Sequence, residues 1–208
     1  MPSIYDLKPR FQNMLRPLNS HLVKLGITAN LVTLFALLLS VALGAAIALN
    51  PENKLLLLLM PLWLFVRMAL NAIDGMLARE HDMKSRLGAV LNEMGDVVSD
   101  SALYLPLALV AGVDPVSVTL FVIVSIMVEM VGVVSVQIGA SRRYDGPFGK
   151  SDRAFVFGAL SLLLGLGIEP GSWSDWLLWV MLLLSCITLI NRAKNGLAEV
   201  KGETRNAG

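Results

Sequence analysis

The chain has one cysteine, two histidines and few charges. Cys186 has no partner for an intrachain disulfide, and it stands in an apolar run where inert packing is its expected role. His21 and His81 show no metal-ligand spacing with each other, which sets aside a histidine-based metal site. Only 16% of the 208 residues are charged, against about 25% in a soluble domain. There is no long linker, no low-complexity tract and no stretch polar enough for a separate soluble domain. No internal repeat is evident, which weakens a repeat-built transporter as a reading. The net charge of +1 excludes the basic footprint of a nucleic-acid binder, so no nucleic-acid partner is expected. The N-terminal MPSIYDLKPRFQ is too polar for a secretion signal, so the first apolar segment is expected to stay in the membrane.

What the chain does have is apolar length. Hydrophobic residues make up 55%, and the mean hydropathy is +0.67, which points to an integral membrane protein. A bilayer core needs roughly 20 apolar residues per helix. Six segments qualify: Asn30–Leu49, Leu55–Ala78, Leu87–Ala111, Val116–Ile138, Ala154–Ile168 and Trp176–Ile190. The fifth is short and is expected to begin in the preceding loop. Before them, residues 4–25 alternate apolar and basic side chains in the manner of an amphipathic helix on the membrane surface, with breaks expected at Pro9 and Pro17. The expected organisation is a surface segment at 1–26, a six-helix membrane domain at 27–200 and a disordered polar tail at 201–208.

Charge sets the orientation. Fifteen of the 17 lysines and arginines fall in alternate connections, leaving Lys54 on the opposite side and Arg67 within a span. By the positive-inside rule both termini and the turn from Arg79 to Arg86 are cytoplasmic, in a cell (inner or plasma) membrane. Trp63, Trp173, Trp176 and Trp179 are expected to form an aromatic belt on the outer side. Ser40, Gly44 and Ala48 form a small-residue stripe suited to close packing, within the chain or between protomers.

Polar residues interrupt two of the apolar segments, and they do so in register. Asn71, Asp74 and Ala78 share one helix face, as do Gly88, Asn92, Asp96 and Asp100 on the next. The short charged turn between the segments makes them antiparallel neighbours by expectation, with both polar faces lining one cavity. Gly75, Ala78, Gly88 and Gly95 leave room there for something bulky. Such hard oxygen donors suit Mg²⁺ or Mn²⁺, and Mg²⁺ typically comes with phosphate. Ionisable groups within a span are costly and usually functional. Arg67 and Glu129 are two more such groups, and a pairing between them is expected.

The run Asn71-x2-Asp74-Gly75-x2-Ala78-Arg79-x8-Gly88-x3-Asn92-x3-Asp96 resembles the signature of the CDP-alcohol phosphatidyltransferase family, D-x2-D-G-x2-A-R-x8-G-x3-D-x3-D. Spacing agrees throughout and six of the eight fixed residues are identical. The resemblance implies transfer of a phosphatidyl group from CDP-diacylglycerol to an alcohol, release of CMP, dependence on Mg²⁺ or Mn²⁺, and a homodimer among membrane lipids. It implies metal ligands at Asn71, Asp74, Asn92 and Asp96, with Asp96 also the general base. Gly75, Ala78, Arg79 and Gly88 would meet the nucleotide part of the donor. Asn71 and Asn92 depart from the signature and lower the formal charge at four positions from −4 to −2. An amide oxygen ligates a hard cation more weakly than a carboxylate. Glu93 and Asp100 are possible compensating carboxylates. Either this is an altered but active metal centre, the reading adopted, or catalysis is lost and a lipid- or nucleotide-binding protein remains. A small-molecule transporter is the other alternative.

Two further stretches agree with the resemblance. Thr28 to Thr33 is similar to an element bordering the family's nucleotide site, which adds Asn30 and Thr33, although a helix N-cap at Thr28 or Asn30 explains it equally. Gly146-Pro147-Phe148-Gly149-Lys150-Ser151-Asp152-Arg153 resembles a G-K-x-D-R element whose basic residues face the acceptor. Arg143, Lys150 and Arg153 are the acceptor-binding candidates. A phosphate-binding P-loop is excluded there, because Tyr144 stands where that motif needs glycine and no strand precedes it.

Overall fold

The computed structural model describes residues 4–206, with side chains from residue 11 to residue 202. Among these residues the secondary structure is entirely helical. α1 spans Ile4–Lys24, α2 Ala29–Leu49, α3 Lys54–Glu80 and α4 Arg86–Tyr104, which runs into a 3₁₀ turn at Leu105–Leu109. α5 spans Pro115–Gln137, α6 Lys150–Gly165 and α7 Ser172–Asn206. α2, α3, α5 and α7 are long and apolar enough to cross a bilayer. In α4 the motif's polar residues interrupt the apolar run, though the helix is continuous. α6 has 16 residues, about 24 Å of helix, against a hydrocarbon core of about 30 Å. It does begin inside the preceding loop, as expected.

Local chemistry sets the helix ends. Thr28 caps α2 by accepting from Leu31 N at 3.3 Å, Ser85 caps α4 by accepting from Gly88 N at 2.9 Å, and Asp114 caps α5. Pro9 and Pro17 do not break α1, which is continuous through both. Nor does α7 stop at the polar tail; it continues as helix through Lys201 to Asn206. Its sequence there contains no proline, so nothing removes a backbone donor.

Pro61 lies inside α3 and carries no N–H, so the carbonyl of Leu57 loses its helical donor. Ser161 of α6 supplies the replacement, donating its hydroxyl to Leu57 O at 2.7 Å. An open backbone carbonyl at membrane depth costs several kcal/mol, and a neighbouring serine is one of the few ways to close it.

α2 packs against both α3 and α4, α3 against α6, and α5 against α7. The small-residue stripe of α2 is used within the chain. A Cβ on Gly44 would lie 2.0 Å from the carbonyl oxygen of Ala102, so α2 and α4 touch backbone to backbone. Ser40 accepts from Trp63 Nε1 at 2.9 Å. Trp63 therefore turns inward, whereas Trp173, Trp176 and Trp179 are partly or wholly exposed at the start of α7.

One expectation fails in an instructive way. α3 and α4 are not packed neighbours; α2 holds both, and their backbones hardly approach each other. Their polar faces meet only through side chains. The space left between them is a cleft that α2 closes on one side.

Candidate active site

Two pockets open beside the motif helices. The first, about 470 Å³, is lined by Asn30 and Thr33 of α2, Asn71, Asp74, Gly75, Ala78 and Arg79 of α3, Lys84 of the turn, and Gly88 and Asn92 of α4. Every residue expected at the nucleotide lies on it, together with three of the four expected metal ligands. The second, about 340 Å³, is lined by Asn92, Glu93 and Asp96 of α4, Glu129 of α5, Arg142 and Tyr144 of the following loop, the start of α6 from Gly149 to Asp152, and Arg192 of α7. Asn92 borders both.

Among the described residues, Asp74 is the only acid on the wall of the first pocket. It is buried, and its Oδ2 accepts from the hydroxyl of Thr33 at 2.9 Å. At Gly88 the wall is close: a Cβ there would sit 2.7 Å from Asn30 Oδ1, so the amide would have to turn. At Gly75 a Cβ would come within 3.1 Å of Arg79 Nη2, the tip of a flexible side chain. Arg79 and Lys84 have no carboxylate partner among the described residues.

Asp96 lies at the edge of the second pocket. Arg67 Nη2 at 3.2 Å, Asn71 Nδ2 at 3.4 Å and Lys150 Nζ all converge on its Oδ1, which leaves Oδ2 uncommitted among the described residues. Asp100 faces away from both pockets and is held by Arg67 and, at 3.6 Å, by Arg153. Glu93 is held by Arg142 through two bonds, at 3.1 and 2.8 Å. The two possible compensating carboxylates are thus engaged with arginines.

Glu129 does not pair with Arg67. It gathers three other arginines from three parts of the chain: Arg153 at 2.7 Å, Arg142 at 3.1 Å and Arg192 at 3.3 Å. Of the acceptor-binding candidates, only Lys150 lines the second pocket. Arg153 is fully buried beneath it. Arg143 turns outward to Glu199 and to Asp145, whose two oxygens each accept from it at 2.7 Å. That guanidinium holds the Asp145 carboxyl below the usual carboxylate range.

Arg142 and Arg192 escaped the sequence reading, where both counted as positive-inside charge. Arg192 had a signal: Ser185, Thr188 and Arg192 share one face of α7, and all three are buried.

The described residues hold no group of three or more acidic, histidine or cysteine side chains arranged as metal ligands. The donor set nonetheless fits Mg²⁺ or Mn²⁺. Mg²⁺ is usually held through one or two carboxylates, with substrate phosphates and water completing the shell. Asp74 has an oxygen beyond the one Thr33 engages, and the Asn71 amide adjoins it on the same cleft wall.

The family model for CDP-alcohol phosphatidyltransferases matches residues 26–187. The chain belongs to that family, and its class is that of membrane-embedded transferases. It is 44% identical to the inner membrane protein YnbA of Escherichia coli (strain K12), over 93% of this chain and 96% of that one. It is 30% identical to the phosphatidylinositol phosphate synthase of Mycobacteroides abscessus, over 88% of this chain and 83% of that one. Among solved structures it shares its fold with Mycobacterium tuberculosis phosphatidylinositol phosphate synthase, determined with manganese and citrate. There the TM-score is 0.72 at 21% identity, over 87% of this chain and 88% of that one. The same enzyme with CDP-DAG bound gives a TM-score of 0.70.

Proposed function

We propose that this protein moves a phosphatidyl group from CDP-diacylglycerol to an alcohol and releases CMP. The observation that carries the reading is the pair of pockets meeting at Asn92, one lined by the signature residues and the other by Asp96. The donor's cytidine and diphosphate occupy the first pocket and its acyl chains stay in lipid. Arg79 and Lys84 face the diphosphate, for which they are free. Asn30, Thr33, Gly75, Ala78 and Gly88 shape the wall around the nucleotide.

The alcohol enters the second pocket. Its hydroxyl oxygen attacks the β-phosphorus as the bond from that phosphorus to the bridging oxygen of CMP breaks. The proton passes to Asp96, whose Oδ2 is the uncommitted oxygen. Lys150 and Arg67 keep Asp96 in place through Oδ1. Asp74, with Asn71 and, more weakly, Asn92, would hold Mg²⁺ or Mn²⁺. The ion's contribution when bound is to offset diphosphate charge and stabilise CMP as it leaves.

Purified protein supplied with CDP-diacylglycerol, Mg²⁺ or Mn²⁺ and a panel of alcohols is expected to release CMP in a metal-dependent manner. CDP-diacylglycerol binding with no CMP release from any alcohol would make the chain a noncatalytic binding protein. The other distinguishing results are transport of a solute or an active chain with Asp74 and Asp96 both removed; each would sink the assignment.

The same reading places six spans in the inner membrane, α2 through α7, with α4 meeting lipid through Leu87, Val90, Met94 and Val98 and α6 through Phe155 and Leu162. α1 lies on the cytoplasmic surface, residues 27–200 form the membrane domain, and residues 201–208 follow it in the cytoplasm. The protein is taken as a homodimer; the α2 stripe is occupied internally, so the dimer uses another face. Both termini and the two pockets face the cytoplasm. A Lys84→Cys chain in a Cys186→Ala background should then react with an impermeant thiol reagent from the cytoplasmic side alone. Labelling from outside would invert the arrangement.

A further inference from the structure

We infer that the alcohol accepted by this protein carries no phosphate of its own, and that the second pocket takes a neutral polyol. This rests on the phosphatidyl-transfer reading above and names its acceptor class.

The two pockets differ in their free charge. In the first, Arg79 and Lys84 stand without carboxylate partners beside a single acid, Asp74, an arrangement ready for a diphosphate. The second has three cations on its wall, Arg142, Lys150 and Arg192, against four carboxylates, Glu93, Asp96, Glu129 and Asp152. Each of those cations is already paired. Arg142 bonds Glu93 at 2.8 Å and Glu129 at 3.1 Å, Lys150 bonds Asp96, and Arg192 bonds Glu129 at 3.3 Å and the Val128 carbonyl at 2.9 Å. A phosphorylated acceptor would have to break these pairs and then lie beside the released carboxylates. Like charges brought together at a binding surface oppose association.

The remaining basic residues nearby do not supply a phosphate site. Arg143 is outside the pocket and bound to Asp145 and Glu199. Arg153 keeps Nε and Nη1 unpartnered, but the cavity it borders has only about 10 Å³ of room, far below the size of a phosphate group.

A hydroxyl group meets the same wall on different terms. It both donates and accepts, so one hydroxyl can donate to a carboxylate and accept from the neighbouring guanidinium or ammonium without altering the charge balance. Asp96 Oδ2 is free for the reacting hydroxyl. The alternation of acid and base around Glu93, Arg142, Asp96 and Lys150 offers bridging sites to the others. Tyr144 is 71% exposed at the mouth, with Arg142 5.0 Å from its ring centroid. It adds an apolar plate for a carbon skeleton.

The test compares matched acceptors on the full chain with CDP-diacylglycerol and Mg²⁺ or Mn²⁺: glycerol against glycerol 3-phosphate, inositol against inositol 1-phosphate, and serine as an amino alcohol. The neutral polyol of a pair is expected to give a kcat/KM for CMP release about tenfold or more above its phosphorylated counterpart. Glu93→Gln, which frees Arg142 from one acid, is expected to narrow that ratio. A preference for either phosphorylated acceptor, or for serine over both polyols, overturns the inference while leaving phosphatidyl transfer intact. Absence of CMP release from every acceptor defeats the transferase reading instead. In that case protection against thermal unfolding of the CDP-diacylglycerol-loaded protein by each pair still decides the acceptor question. Stronger protection by the phosphorylated member overturns it, and stronger protection by the polyol supports it.

Discussion

Asp74→Asn is expected to lower CMP release by about 10³-fold. A cation at a transferring phosphoryl group supplies several kcal/mol, and about 4 kcal/mol corresponds to that factor. Asp74 is the only acid on the donor cleft, and its nearest motif partner, Asn71, is already an amide. The substitution therefore leaves no carboxylate among the described residues of the cleft wall. The exchange is nearly isosteric, and Thr33 can still donate to an amide oxygen, so the fold should be kept. Two measurements separate the explanations. Mn²⁺ binding followed by its paramagnetic resonance signal should weaken together with the rate, and thermal stability should not change. Full CMP release by Asp74→Asn would remove Asp74 from the metal role. Restoring the signature with Asn71→Asp tests the same point from the other side, since it should tighten Mn²⁺ binding.

Glu129→Gln is expected to destabilise the fold more than any other single exchange on the pocket walls. Its carboxylate is the shared counterion of Arg142, Arg153 and Arg192. Arg153 and Arg192 are buried. Removing one partner of a buried ion pair costs about 3–5 kcal/mol, because the other charge stays buried without compensation. Arg142 keeps Glu93, and Arg153 keeps Asp100 at 3.6 Å, which limits the loss. Glu93→Gln is the control. Its side chain is 35% exposed, and pairs at that depth contribute about 0–1 kcal/mol. Thermal unfolding in detergent should show a clear loss for Glu129→Gln and little for Glu93→Gln. Equal, small losses in both would show that Glu129 is not the keystone of the network.

The donor cleft was legible in the sequence because its residues sit on two helices joined by a short turn. Periodicity places Asn71, Asp74 and Ala78 on one face and Gly88, Asn92 and Asp96 on another, and the turn brings both to one end of the bundle. Periodicity says which side of a helix is polar. It does not say which helix stands opposite. Hence the expectation that α3 and α4 pack on each other, when each packs on α2 and the two meet through side chains. Hence too Arg67 was matched with Glu129, when Asp96 and Asp100 stand nearer. The acceptor pocket was less legible for the same reason. It is assembled from α4, α5, α6, α7 and a loop, and its hub, Glu129, gathers arginines that in the sequence looked like ordinary loop charge. Pro17 misled through its chemistry: proline removes one donor, but α1 loses only that bond and remains a helix.

The bond from Ser161 to the carbonyl that Pro61 leaves open has a mechanical side. It pins α6 to α3 at one level of the bundle, while the reactive end of α6 lies eleven residues away at Lys150. Eleven residues of helix are about 16 Å, so a small change of helix angle at Ser161 is magnified at Lys150. A tilt of about 5° there carries Lys150 sideways by about 1.4 Å over that helical arm. Ser161 is thus one of the contacts, with Gly158 against Pro61 and Arg153 against Glu129, that fix where the Lys150 end of α6 stands beside the acceptor pocket.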